Sequence, residues 1–243
     1  MKIAIIGTGK LGSTVLELNK KHTVSYAINS KNSHLIQDIN RSNTEVVIHT
    51  ATPQQVIPDA RILLPKGLKM IIATTGFDKN ALQQLIQEHQ STVVQDGNFS
   101  IGVNILFMLN TYLAKLMNHF PEYDVAIHEI HHNLKKDAPG GTAIQLAEDI
   151  IKHLNRKHSW TVPHQTIQPN QISVSAARIG SVIGTHEIIY DSNIDTLYLK
   201  HVAKNRQGFA QGILMAVEFL EKNPDIKGWI KMQQIIEHFL SKI

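Results

Sequence analysis

Along residues 2–95, short apolar runs alternate with stretches whose apolar positions recur every three to four residues. Lys2–Ile6, Thr23–Ile28, Glu45–His49, Met70–Thr74 and Thr92–Gln95 read as five buried strands. Helical spacing fills the gaps, first up to Lys20 and then over Ser33–Ile39, Gln54–Leu64 and Asn80–His89. Parallel strands need long crossovers, and helices make them. This alternation therefore predicts a parallel sheet with right-handed connections.

After Asn98 the rhythm changes. Val103–Phe120 is apolar at helical spacing, with Leu106, Leu109, Leu113 and Leu116 along one stripe. Tyr123–His131 alternates as a strand, a Pro-Gly-Gly loop follows, and Thr142 to about Asn155 reads as a helix. Residues 158–170 are polar, contain two prolines and read as a surface loop. Ile172–Arg178, Val182–Tyr190 and Thr196–Val202 alternate between turns and predict antiparallel strands. Gln207–Lys222 and Gly228–Lys242 read as closing helices. The expected fold class is α/β, with one domain made of residues 1–101 and 206–243. An α+β domain of residues 102–205 is inserted into it.

Gly7-Thr8-Gly9-Lys10-Leu11-Gly12 directly follows the first strand and opens a helix. Glycine suits that place because the chain must turn tightly and let its main chain approach a pyrophosphate. The helix-start amides then hold the anion. This predicts a Rossmann-type dinucleotide-binding domain. An NAD-specific site places a carboxylate at the end of the second strand, for the ribose 2′-hydroxyl. Here Ile28-Asn29-Ser30-Lys31 carries none, and Ser30 and Lys31 suit a 2′-phosphate, which favours NADPH, alone or alongside NADH. Thr74-Thr75-Gly76, at the end of the fourth strand, is placed to meet the nicotinamide side.

The densest chemistry lies between His128 and Thr142. His128-Glu129-Ile130-His131-His132 satisfies H-E-x-x-H literally, but that zinc motif works only on a helix. In a strand, residues four apart lie about 13 Å from each other, so no metal is expected. A strand end delivering His131, with Lys135 in the loop behind it, can bind an anionic substrate and supply a proton. Gly141-Thr142 opens the next helix, where free amides and a hydroxyl suit a carboxylate.

Composition narrows the partners further. The 243 residues are 42% hydrophobic and 18% charged, as in globular proteins. No apolar run reaches about 18 residues, which argues against a membrane span. The net charge of +4 comes from scattered Lys and Arg, which suits a small anionic substrate better than nucleic acid. The absence of cysteine excludes disulfides and thiolate metal sites and fits a reducing, cytoplasmic setting.

Glu129 to Ala143 resembles the pattern E-x-H-H-x-x-K-x-D-A-P-S-G-T-A of the 4-hydroxy-tetrahydrodipicolinate (dihydrodipicolinate) reductase family, with Gly140 in place of Ser. The glycine loop, Thr74-Thr75-Gly76-Phe77, Asn98 to Asn104, Arg178-Ile179-Gly180, Gly184, His186 and Arg206 to Ala210 extend the resemblance along the chain. It implies a two-domain, usually tetrameric enzyme that passes hydride from NAD(P)H to a small dicarboxylate in lysine and diaminopimelate biosynthesis. By that resemblance His131 is the acid/base candidate and Lys135 the proton donor, while His132, Gly141 and Thr142 hold substrate carboxylates. The cofactor would touch the glycine loop, Asn29 and Ser30, the turn Ala73-Thr74-Thr75, and Asn98-Phe99. Departures from the pattern are His49-Thr50-Ala51 before Thr52-Pro53, Ala73 for Gly, and Thr185 for Glu. Two rival readings are an aspartate dehydrogenase-like oxidoreductase of an amino or oxo acid, and a non-catalytic nucleotide sensor. The first does not require Lys135 or the Gly141-Thr142 site. The second predicts loss of some of His131, Lys135, Gly141 or Thr142, and all four are present.

Overall fold

The structure is a computed structural model that describes residues 1–163 and 166–240. Its contacts divide the chain into two compact units, Met1–Ile101 with Arg206–Ile243, and Gly102–Asn205. The first unit opens with β1 (Lys2–Ile6), α1 (Lys10–Leu18), β2 (Thr23–Ile28) and a 3₁₀ turn at Ser33–Asp38. It continues through β3 (Val46–His49), α2 (Pro53–Leu63), β4 (Lys69–Ile72), α3 (Lys79–Glu88) and β5 (Thr92–Gln95). Local chemistry sets several of these boundaries. Pro53 occupies the first turn of α2, where its missing N–H costs nothing, and the Asp78 side chain caps α3 by accepting from Ala81 N–H at 3.0 Å.

The second unit holds α4 (Ile101–Met117), β6 (Asp124–His131), α5 (Gly141–His153), β7 (Ser159–Thr161), β8 (Gln171–Arg178), β9 (Gly184–Asp191) and β10 (Thr196–Ala203). The chain then returns to the first unit as α6 (Gln207–Lys222), β11 (Gly228–Ile230) and α7 (Met232–Leu240). Gly228–Ile230, expected as the start of the last helix, is a short strand. Gly228 has φ +98°, which a helix does not accept, and the three residues pair in parallel with Thr92–Val94.

The first sheet has the order β11-β5-β4-β3-β1-β2, and every pairing in it is parallel. Both faces are covered, so β1, β3, β4 and β5 are buried almost throughout. Ile3, Ile5, Val46, Ile48 and Val94 pack on one side with α6 and α7 residues, while Ala4, Ile6, Val47, Met70 and Val93 pack on the other with α2 and α3 residues. The strand order reverses between β1 and β3. The carboxyl ends of those two strands therefore define the place where such sheets bind ligands.

The second sheet has the order β10-β9-β6-β8-β7 and is mixed. β9 runs antiparallel to β6 and β10, but β8 runs parallel to β6, and β7 parallel to β8. The expectation of antiparallel strands fails at β8, because the chain between β6 and β8 contains α5 and so provides a crossover. β7 lies inside the stretch read as a loop, of which residues 164–165 lie outside the described residues. The stripe on α4 is corrected as well. Leu109 and Leu116 are 47% and 43% exposed, and the buried line is Val103, Leu106, Asn110, Ala114 and Met117.

Candidate active site

In the first unit, the loop after β1 is shaped by its neighbours' main chain. Gly7 has φ +98°, and a Cβ there would lie 2.5 Å from Ala51 N. A Cβ on Gly12 would collide with the Gly7 carbonyl. Gly9 meets nothing within 4 Å, so only these two of the three glycines are required by the fold itself. Thr50 Oγ1 donates to Gly7 O at 2.5 Å, Gly7 N–H to Ile28 O at 2.9 Å, and Thr74 Oγ1 to Ala51 O at 2.8 Å. A cavity of about 450 Å³ opens here, lined by Gly7, Thr8, Gly9, Asn29, Ser30 and Thr50 among others.

The other expected cofactor residues are placed less directly. Lys10 is exposed and Leu11 packs against the sheet, so neither side chain lines the cavity. Phe99 is 3% exposed within the core and Ala73 packs against the same core, which leaves no free side chain at either position. Thr74 is buried, Thr75 is exposed, and Asn98 Oδ1 accepts from Ser100 N–H at 2.8 Å. Asn29 is engaged in its own turn, accepting from Lys31 N–H at 2.9 Å. His49 is fully buried and pairs with Asp59 through Nε2 at 3.1 Å.

In the second unit, strand alternation sorts one sheet face into two zones. Val125 and Ile127 on β6, Val174 on β8 and Ile188 on β9 lie under α4 and α5 as core. Further along the same face, Glu129 pairs in register with His186, and His131 with Arg178, so polar residues replace apolar ones at the strand ends. Glu129 is fully buried. Its Oε1 accepts from Arg178 Nη2 at 2.8 Å and from Gly140 N–H at 2.9 Å, tying the turn before α5 to the sheet. Arg178 also donates to the Asp137 carbonyl. His131 Nδ1 and His186 Nε2 lie 3.6 and 3.7 Å from Glu129 Oε2, and the two rings meet edge-on with centroids 5.1 Å apart.

Lys135 Nζ is held by both Asp137 oxygens at 2.6 Å. Gly140 makes room for it: a Cβ there would sit 2.9 Å from Lys135 Cε and 3.0 Å from Glu129 Oε2. Gly140 precedes α5 in extended conformation without a side-chain cap, so the first-turn amides of α5 keep their donors, as helix starts do. Gly141 is exposed and Thr142 half-buried at this start. His132 lies one residue past β6, with Nδ1 buried and unpartnered. The structure thus brings His131, Lys135 and the α5 start to one end of the second sheet, and adds Glu129, Arg178 and His186, which were not among the expected site residues. Their signal was strand alternation, since Glu129 and His131 are two residues apart and share a face.

Burial lowers the His131 imidazole to about 4, with His186, Lys135 and Arg178 adding to the effect and Glu129 opposing it. The ring is therefore neutral near pH 7. Burial pushes the Glu129 carboxyl up, but His186, Arg178, the Gly140 amide and His131 outweigh it and hold the group at about 2. Glu129, His131 and His186 offer three donor atoms within 4.8 Å of one another, a spacing that could bracket a cation. Against that, Arg178 already brings positive charge to this carboxylate at 2.8 Å. The literal H-E-x-x-H residues do not assemble. His128 faces the other side of the sheet and shares a 2.6 Å hydrogen bond with Ser175 Oγ.

A glycine cradle at the reversal point of a parallel sheet, in a chain that also gathers imidazoles and an ammonium around a helix start, defines a Rossmann-type oxidoreductase that uses a nicotinamide dinucleotide. The family models for the N-terminus and the C-terminus of dihydrodipicolinate reductase match residues 1–99 and 102–236. The chain belongs to the dihydrodipicolinate reductase family. A 4-hydroxy-tetrahydrodipicolinate reductase of Christiangramia forsetii is 32% identical over 230 residues, covering 93% of this chain and 95% of the relative. One from Rickettsia bellii is 35% identical over 219 residues, covering 88% and 86%. Among solved structures, a dipicolinate-bound dihydrodipicolinate reductase from Paenisporosarcina sp. TG-14 shares the fold at TM-score 0.76 and 23% identity, covering 95% of this chain and 97% of its own.

Proposed function

We propose that the chain reduces 4-hydroxy-tetrahydrodipicolinate to tetrahydrodipicolinate, as a step of lysine and diaminopimelate biosynthesis. Loss of water removes the 4-hydroxyl, and one hydride with one proton then completes the reduction. The observation that carries this reading is the folded segment Glu129–Thr142, which sets an ammonium and an imidazole beside the start of α5. A dianionic ring is held by the Lys135 ammonium, the first-turn amides of α5 at Gly141 and Thr142, the Thr142 hydroxyl and His132. Lys135 donates the proton. His131, neutral near pH 7, accepts a hydrogen bond from the substrate or takes up a proton, rather than arriving protonated.

The first unit serves as the dinucleotide domain, and the cradle at Gly7 fits a pyrophosphate because no Cβ stands between it and the main chain. NAD(P)H, when bound, supplies the hydride. The end of β2 carries Asn29 and Ser30 in the cavity lining and no carboxylate, which supports use of NADPH at least as well as NADH. The second unit serves substrate binding and assembly. Ile105, Leu109 and Tyr112 on α4, with Tyr198 and Val202 on the edge strand β10, are exposed apolar side chains that support a homotetramer. Among the described residues no helix is long and apolar enough to cross a membrane, and a cytoplasmic location, where reduced nicotinamide is maintained, completes the reading. The test is an assay of purified protein with enzymatically generated substrate and each cofactor in turn. Turnover with NADPH at a kcat/KM no lower than with NADH is expected. No turnover with either cofactor overturns the function, and a strong NADH preference overturns the reading of Asn29–Lys31.

A further inference from the structure

Glu129 is a buried carboxylate with one oxygen satisfied and the other surrounded by imidazoles. Oε1 takes hydrogen bonds from Arg178 and the Gly140 amide. Oε2 has no hydrogen-bond donor, and its nearest basic neighbours, His131 Nδ1 at 3.6 Å and His186 Nε2 at 3.7 Å, are themselves buried without partners. Both distances exceed hydrogen-bond reach, yet a shift of less than about 1 Å closes either one to the usual value of about 2.9 Å. Lys135, the other cation nearby, is engaged by Asp137.

An ionised oxygen buried without a donor is expensive, so the adjacent rings turn an N–H toward it. A neutral imidazole has one N–H to give. If His131 gives it from Nδ1, its Nε2 is left as a bare acceptor. The backbone accommodates that orientation: Gly184 lies against this nitrogen, and a Cβ there would stand 3.0 Å from Nε2.

We propose that Glu129 is a positioning residue for His131, fixing the ring as the Nδ1–H tautomer with Nε2 free to meet substrate, while His186 presents Nε2–H to the same oxygen from β9. The proposal rests on the role given to His131 above, and its test separates the two. Glu129→Gln keeps the shape and the oxygen that Arg178 and Gly140 use, but places an NH₂ where Oε2 accepted. His131 Nδ1 must then accept, and the proton moves to Nε2.

Nitrogen-15 NMR of histidine-labelled protein, with His131 assigned by its loss in His131→Asn, reads the tautomer directly. The expected wild-type form is Nδ1–H, inverting in Glu129→Gln. In the same variant kcat falls about 100-fold, at the low end of what a positioned proton-transfer group contributes, with NADPH affinity little changed and the thermal melt lowered, because Arg178 loses its buried ion-pair partner. Glu129→Asp keeps the charge and should restore the Nδ1–H form and part of kcat. A wild-type ring protonated on Nε2, or a tautomer indifferent to Glu129→Gln, overturns the proposal, and the wild-type spectrum decides it even if that variant fails to fold. Inversion of the tautomer with kcat intact would uphold the positioning and remove His131 from the chemistry.

Discussion

At the strand ends of the first unit, the polar groups on offer belong to the main chain and to small residues such as Gly7, Thr8, Gly9 and Ser30. At the strand ends of the second unit they belong to long titratable side chains from β6, β8, β9 and the loop before α5. A site made of main chain tolerates change where nothing stands nearby and collapses where a Cβ has no space. A site made of side chains tolerates shape changes better than changes of charge or proton position. The two regions should therefore fail in different ways when altered.

The largest effect belongs to the second unit. Lys135→Ala should lower kcat by about 10³-fold, within the span attributed to general acid catalysis, with NADPH affinity unchanged in a fluorescence titration. Near-normal turnover would remove Lys135 as proton donor and weaken the contrast between the two regions. Next comes Gly12→Val, whose Cβ would meet the Gly7 carbonyl, with no flexible side chain to yield. A loss of NADPH affinity of about 100-fold and about 1–3 kcal/mol of stability should accompany it. Gly9→Ala sharpens this prediction, because it meets no protein atom and should leave the melt unchanged. Any loss of nucleotide affinity in that variant would show that the ligand, rather than the fold, demands glycine there.

Proton linkage gives a smaller effect, carried mainly by His131 in the second unit, with His201 there and His22 in the first unit shifted in the same direction. Below pH 6.5 the unfolded chain takes up a proton at His131 that the folded chain refuses until about pH 4. Stability is thus intact above pH 6.5 and declines as pH falls through this window, by up to about 2 kcal/mol at pH 5. Urea unfolding at pH 7 and pH 5 should reveal it, and His131→Asn should flatten the difference. Glu129 adds a further decline below pH 4.5, continuing toward about pH 2 as its carboxylate is protonated. Least of all, Gly140→Ser should supply α5 with a capping hydroxyl worth a few tenths of a kcal/mol. That substitution must push the end of Lys135 aside, so a rise in melting temperature with a modest fall in kcat is expected. Unchanged values of both would show that the room left by Gly140 has no consequence.

Much of this is legible in the sequence alone. The strand–helix alternation of residues 2–95 depends on local periodicity, and the five strands stand where the apolar runs lie. The strand character of the H-E-x-x-H string is legible too, since β6 is a strand and His128 and Glu129 point to opposite faces. Two apolar stripes run along α4, and spacing alone does not say which one meets a sheet; Leu109 and Leu116 lie on the stripe that faces out. The side chains of Phe99 and Leu11, expected at the cofactor, pack on the core, which leaves their main chain as what a ligand would meet.

The chain by itself determined its class, because a glycine turn after a strand and a basic strand end before a helix start are features of neighbouring residues. Only tertiary structure decided what surrounds His131. Arg178 lies 49 positions from Glu129 in sequence, and His186 farther still. They meet because β8 and β9 both pair with β6, one parallel and one antiparallel, in a register fixed by the core beneath α4 and α5. Such pairings are chosen by burial across the whole unit, and no local spacing encodes them.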